Sequence, residues 1–197
     1  MKKLLFTALL LLMGQAFAED FPRAVITLYG DKEEIDFVKI QPGEGMDYHY
    51  YDKAIKNKVI FRSVEEPEKK WQEMQFSFRA SKAGKVRLKI TGRHHEKSGK
   101  VNWIEYDDLK ISGSDIVNGD FEQLKNSGVS EGWWKFNSNQ LIKGDAANGE
   151  HYIIAGGNSK WVQQWIEVKE GTKVTISFKC RAPKKENIKK AELEASI

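Results

Sequence analysis

Met74-Gln75-Phe76-Ser77-Phe78-Arg79-Ala80-Ser81-Lys82-Ala83-Gly84-Lys85-Val86-Arg87-Leu88-Lys89-Ile90 decides the fold class. Met74, Phe76 and Phe78 alternate with Gln75, Ser77 and Arg79. After a turn at residues 81–85, Val86, Leu88 and Ile90 alternate with Arg87, Lys89 and Thr91. Side chains on a strand point alternately to its two faces, so a period of two with one polar face marks a strand packed on a core by one side. Two such runs joined by a short polar link read as a β-hairpin.

The same signal recurs on both sides. Ala24 to Tyr29 is rich in β-branched residues and ends at the turn pair Gly30-Asp31. Residues 35–40, 46–51 and 59–64 read as strands or strand-like segments, as do Trp103 to Ile111, Tyr152 to Ala155, Trp161 to Val168 and Val174 to Cys180. The stretch from Ala191 to Ile197 alternates and reads as a final strand. No sustained helical period is present. Roughly ten short strands at turn-punctuated spacing predict an all-β sandwich of the jelly-roll kind.

Residues 1–18 read as a secretory signal peptide: Lys2 and Lys3, the apolar run Leu4 to Met13, then Ala16-Phe17-Ala18 before a cut at Glu19. The run is short for a membrane span, and the expectation is an exported protein, periplasmic or extracellular, with residues 19–197 as one domain. The chain has 197 residues and a formal net charge of +4, which falls to +2 once Lys2 and Lys3 leave with the signal. That balance, with acids and bases interleaved, gives no reason to expect nucleic acid or an anionic membrane as partner. A single cysteine, Cys180, excludes an intrachain disulfide and sits on the apolar face of its strand. Six Trp, six Tyr and ten Phe supply a core, stacking platforms, or both.

Between Asp107 and Glu122 stand five carboxylates beside strand-forming residues. They read either as a turn-rich surface or as an oxygen-ligand cation site. The segments Asn118-Gly119-Asp120-Phe121-Glu122, Gly132-Trp133, Gln164-x-Ile166-x-Val168 and Val174 to Ala182 resemble the first half of a carbohydrate-binding module of the galactose-binding-like jelly-roll superfamily, of the type attached to xylanases and glucanases. Trp71 to Phe78, Val86 to Ile90 and Tyr106-Asp107-Asp108-Leu109 resemble its second half. The halves stand in reversed order. Three arrangements account for this: one circularly permuted domain with the old ends joined at Ser112-Gly113-Ser114, two incomplete modules, or strands exchanged between chains in an oligomer. Half a sandwich cannot bury its inner faces, which favours the permuted domain.

The resemblance implies a structural calcium where the opening Phe-Glu segment meets the closing Asp strand. Glu122 and Asp108 would supply carboxylates, with Asp120 and the Asn118 carbonyl as weaker ligands. The alternative is that these acids cap turns and pair with lysines. The resemblance also implies a polysaccharide or oligosaccharide as ligand. Pyranose rings stack their C–H faces on Trp and Tyr, and their hydroxyls bond to polar side chains. On the strand from Trp161 to Val168, Ile166 and Val168 read as core, which puts Trp161, Gln163 and Trp165 together on the opposite face. Trp165 is the leading platform. Trp134, Tyr48, His49 and Tyr50 are further candidates, each with core packing or edge cover as the alternative. Gln164, a family-like glutamine, falls with the core set.

No catalytic constellation stands out. His94-His95-Glu96 lacks matching zinc ligands at usual spacings and reads as a solvated loop. The expectation is therefore a non-catalytic glycan-binding protein. The alternative is a structural or protein-interaction module on the same scaffold.

Overall fold

The computed structural model describes residues 21–30, 35–52, 57–92, 101–126, 128–134, 140–157 and 160–193. The expected signal peptide, His94-His95-Glu96 and residues 194–197 lie outside the described residues. Two antiparallel sheets make up the body. One contains β1 (Ala24–Gly30), β3 (Met46–Tyr51), β4 (Lys58–Ser63), β6 (Gly84–Gly92) and β10 (Val162–Val168), in the order β10-β6-β1-β4-β3. The other contains β2 (Phe37–Pro42), β5 (Gln72–Ala80), β7 (Ile104–Ser112), β8 (Leu141–Lys143), β9 (His151–Ala155) and β11 (Lys173–Arg181), in the order β2-β5-β11-β7-β9-β8. This is an all-β sandwich with, among the described residues, one short helix.

The alternation read from the sequence sets the inner faces. Val86, Leu88 and Ile90 are buried on β6, and Val174, Ile176, Phe178 and Cys180 on β11. The sheets meet in one apolar core, where the rings of Phe61 and Phe76 stack at 3.8 Å between centroids. The Tyr106 hydroxyl of β7 ties the layers together, accepting from Val25 N at 2.8 Å and donating to Thr91 O. Both sheets contain strands from before and after Ser112-Gly113-Ser114: β10 forms one edge of the five-stranded sheet, and β11, β9 and β8 join β2, β5 and β7 in the other.

The expected hairpin at residues 74–90 is an arch instead. β5 pairs with β2 and β11, while β6 pairs with β1 and β10 in the other sheet. Alternation fixes which face of a strand meets the core, and an arch satisfies it as well as a hairpin does. The link Ser81-Lys82-Ala83 carries no tight-turn pair such as Asn-Gly to impose local pairing. It is held from outside the arch: Asp36 N donates to Ser81 Oγ at 2.8 Å, and Ser81 N donates to Asp36 O at 2.9 Å.

The second correction is at the C-terminal end. The expected strand from Ala191 is part of α1 (Lys185–Leu193). The residues are strong helix formers, and Asn187, Ile188 and Ala191 share one helical face. Glu186 in the first turn and Lys190 in the last suit the helix dipole. That face joins a second, smaller apolar cluster with Trp103, Ile142, Tyr152 and Ile154, and Trp71 packs against it. Under it lies a buried ion pair: Arg181 Nε donates to Glu105 Oε2 at 2.6 Å. Asn187 Nδ2 bonds Glu105 Oε1 at 2.6 Å and the Tyr152 hydroxyl at 2.9 Å. The six-stranded sheet is thus covered on part of its outer side. β8 stands where the sequence reads as polar loop; its three residues are too few to show a period.

Candidate functional site

The outer face of the five-stranded sheet carries the side chains that the inner alternation excludes. Strand register lines them up in rows. Trp165 on β10 lies opposite Arg87 on β6, Arg87 opposite Tyr29 on β1, Tyr29 opposite Lys58 on β4, and Lys58 opposite Tyr51 on β3. Aromatic and cation therefore alternate across all five strands. The next row runs Gln163, Lys89, Thr27, Ile60 and His49.

Four contacts on this face are cation–π in kind. The Arg87 guanidinium lies 4.3 Å from the Tyr29 ring centroid and 5.9 Å from that of Trp165. Lys58 Nζ sits 4.6 Å over Tyr51, and Lys89 Nζ 4.5 Å over Trp161. All fall within reach of the ring quadrupole. Lys89 is half-buried. Burial, then the charges of Arg87 and Lys58, hold its ammonium below the ordinary lysine value.

Trp134 extends the face beyond β10. It exchanges backbone hydrogen bonds with Gln163 at 2.8 and 3.2 Å in an isolated antiparallel bridge. Directly paired residues project to the same side of a sheet, with diagonal neighbours close by. Trp134 thus stands beside Gln163, flanked diagonally by Trp161 and Trp165. Trp134 is 62% exposed and Trp165 39%, whereas Gln163 is buried at 8%. Gln163 Oε1 has no hydrogen-bond partner among the described residues.

Four of the expected ligand-binding residues, Trp165, Trp161, Gln163 and Trp134, therefore come together. Tyr48 and Tyr50 do not join them. They pair with Phe61 and Val59 at core-facing positions of β3. Tyr50 packs against the core, and Tyr48 tilts over Phe61 with centroids 6.2 Å apart. Their neighbours His49 and Tyr51 take the outer face, with ring centroids 4.3 Å apart. Sequence reasoning missed Arg87, Lys89, Tyr29, Lys58 and Tyr51. The signal was available for the first two, as the polar partners of Val86, Leu88 and Ile90.

Trp133, Phe121, Phe76 and Phe78, whose sequence context favours core packing, are buried, while Trp71, in the same group, is half-buried against the smaller cluster. Gln164 is also buried, where its amide accepts from Val117 N and donates to Val117 O, each at 2.9 Å.

The acidic stretch lies apart from this face. Asp108, Asp115, Asp120, Asn118 and Lys110 help line an open cleft of about 450 Å³. Asp108 Oδ2 is held by Lys110 Nζ at 2.8 Å and Lys179 Nζ at 3.3 Å. Glu122 Oε1 accepts from Glu150 N and His151 N, and Oε2 meets His151 Nδ1 at 2.9 Å. Asp120 Oδ1 is 3.5 Å from Glu122 N. The Asn118 carbonyl accepts from Trp133 Nε1 at 3.0 Å. A cation bound by Asp108 and Glu122 would compete with two lysines at Asp108 Oδ2 and with His151 at Glu122 Oε2. Among the described residues, no three His, Cys, Asp or Glu side chains converge as a metal-binding group. Cys180 is inert: burial pushes its thiol up to about 12.

Comparison with protein-family models, with curated proteins and with solved structures found no match.

Proposed function

We propose that the chain is an exported, non-catalytic carbohydrate-binding protein whose ligand lies on the outer face of the five-stranded sheet. The observation that carries this reading is the grouping of Trp134, Trp161 and Trp165 around Gln163. Indole faces stack on the C–H faces of pyranose rings, and a glutamine among them offers an acceptor and donors to ring hydroxyls. The reading takes the sandwich as a galactose-binding-like jelly roll permuted at Ser112-Gly113-Ser114. In its support, β7 pairs with β11, and Leu109 N donates to Gly119 O at 2.9 Å, which brings the two acidic segments together. Against catalysis in the acidic cleft, Asp108 Oδ2 is engaged by Lys110 and Lys179 in ion pairs.

The test is tryptophan emission titrated with a panel of soluble polysaccharides. A bound glycan shifts or quenches the emission, and Trp165→Ala weakens the response by about tenfold or more. A flat response from folded protein across the panel favours the structural or protein-interaction module instead.

A further inference from the structure

Resting on that carbohydrate reading, we infer that the glycan is anionic, a polysaccharide whose sugar rings bear carboxylates or sulfate esters. The argument is the unbalanced charge of the face. Among the described residues its acids stand at the margins and are already paired: Glu167 with Lys85 at 3.8 Å, and Asp47 with Arg62 at 2.5 Å. The two rows between them present Arg87 and Lys89 and, among the described residues, no carboxylate. Arg87 and Lys89 make no ion pair among the described residues. What lies against them is aromatic rings and each other's charge.

These cations are built into the face. Both are partly buried, and Arg87 Nε is a buried donor with no acceptor among the described residues. A half-desolvated cation lacking a counter-ion is costly, and a ligand that brings the anion recovers that cost. The buried, unpartnered Gln163 Oε1 lies in the row with Lys89 and offers an acceptor for a sugar hydroxyl.

Spacing fits the same ligand. Neighbouring strands are about 4.8 Å apart, so rings on alternate strands are roughly 10 Å apart with a cation between them. A pyranose stacked on an aromatic ring carries its equatorial carboxylate or sulfate at the ring edge, directed at the next strand. Trp165 and Tyr29 would stack two rings of the chain, and Arg87, between them, would take the anion of the intervening stretch. Arginine suits this role because its planar fork binds carboxylate and sulfate oxygens bidentately while stacking on aromatics.

Two matched pairs of polymers test the inference by calorimetry on the purified chain: polygalacturonate against its methyl ester, and dextran sulfate against dextran. At least one acidic polymer should bind ten times or more tighter than its neutral partner. The pair that discriminates names carboxylate or sulfate. The double variant Arg87→Gln/Lys89→Gln should lose that preference, and Lys89→Arg should keep it. Each single variant is measured as well, with thermal melts to confirm folding. Equal binding of neutral and acidic partners would overturn the anionic ligand and leave the carbohydrate reading standing. So would a folded double variant that keeps the preference. Binding of none of the four, with no emission response to any neutral glycan, would sink both. Duplex DNA bound as tightly, with the same dependence on Arg87 and Lys89, would reduce the face to a general anion patch and overturn the proposal.

Discussion

Asn118 adopts the left-handed backbone region, with φ of 52°, which asparagine tolerates better than most residues. Its side chain organises the loop that follows. Oδ1 accepts from Gln123 N at 2.9 Å, and Nδ2 faces Gln123 O, Ser130 Oγ and Glu131 O at 2.7 to 3.1 Å. Removing it strands several buried polar groups at once. Asn118→Ala should cost about 2–4 kcal/mol, read from urea unfolding, because each unsatisfied buried group costs about 1–3 kcal/mol. A loss under about 0.5 kcal/mol would mean that water replaces the side chain. At this scale the sequence was legible wherever one parity was plainly apolar. Ile166 and Val168 assign the faces of β10, and Trp165 and Gln164 fall where alternation puts them. On β3, Met-Asp-Tyr-His-Tyr-Tyr carries aromatics at both parities, so alternation cannot choose between Tyr48 and His49. Nor do Asp108 and Glu122 reveal their partners, because Lys179 and His151 reach them from distant strands.

The strands themselves are legible because each has a strong period, and their order is not because pairing depends on contacts far along the chain. The arch at residues 81–83 is the clearest case: both flanking strands were evident, but not their separation into two sheets. The helix α1 is the opposite failure. Its sequence is short and polar, and its one apolar stripe has meaning only against Trp103, Ile142 and Ile154. That dependence predicts how it breaks. Ala191 is 5% exposed within this cluster. Ala191→Glu puts a carboxylate there without a partner, so the helix should undock at a cost of about 2–4 kcal/mol. The readouts are red-shifted emission as Trp71 and Trp103 meet water, and faster proteolysis of the C-terminal segment. An unchanged cleavage rate would show that the helix adds nothing to the sheet beneath it. The main core belongs to a separate cluster, so far-UV circular dichroism should keep its strand signal.

The whole molecule balances groups that titrate in opposite senses. Asp107 is buried on β7, and burial pushes its carboxyl up to about 6. It does so although Oδ1 accepts from Asp108 N at 2.7 Å, and Oδ2 from Ala147 N at 2.7 Å and Asn148 N at 2.9 Å. A carboxyl whose folded value is raised contributes stability fully below its ordinary value of 3.8 and loses it as pH rises through about 6. Glu122 runs the other way. Burial pushes it up, but the bonds from His151 and from the Glu150 amide outweigh that and hold it below its ordinary 4.5. Asp145, bonded by Lys184 and Arg181, is likewise held below 3.8. Both contribute above those ordinary values and lose it as pH falls toward their folded ones. Stability should therefore peak near the ordinary carboxylate values, at about pH 4 to 4.5, and decline as pH rises to about 6. Between pH 5 and 7.5 only Asp107 among these three changes charge, so Tm should fall by on the order of 5 °C over that interval. Asp107→Asn removes the titration but keeps an oxygen for Ala147 N and Asn148 N. Its melting curve should be lower at pH 5, for want of an acceptor at Asp108 N, and flat from there to 7.5. A wild-type Tm that holds level or rises across that interval would mean that the three amides win over burial and that Asp107 is ionised in the folded state. The outer face of the five-stranded sheet lies away from all three groups, so glycan affinity should not follow this stability profile.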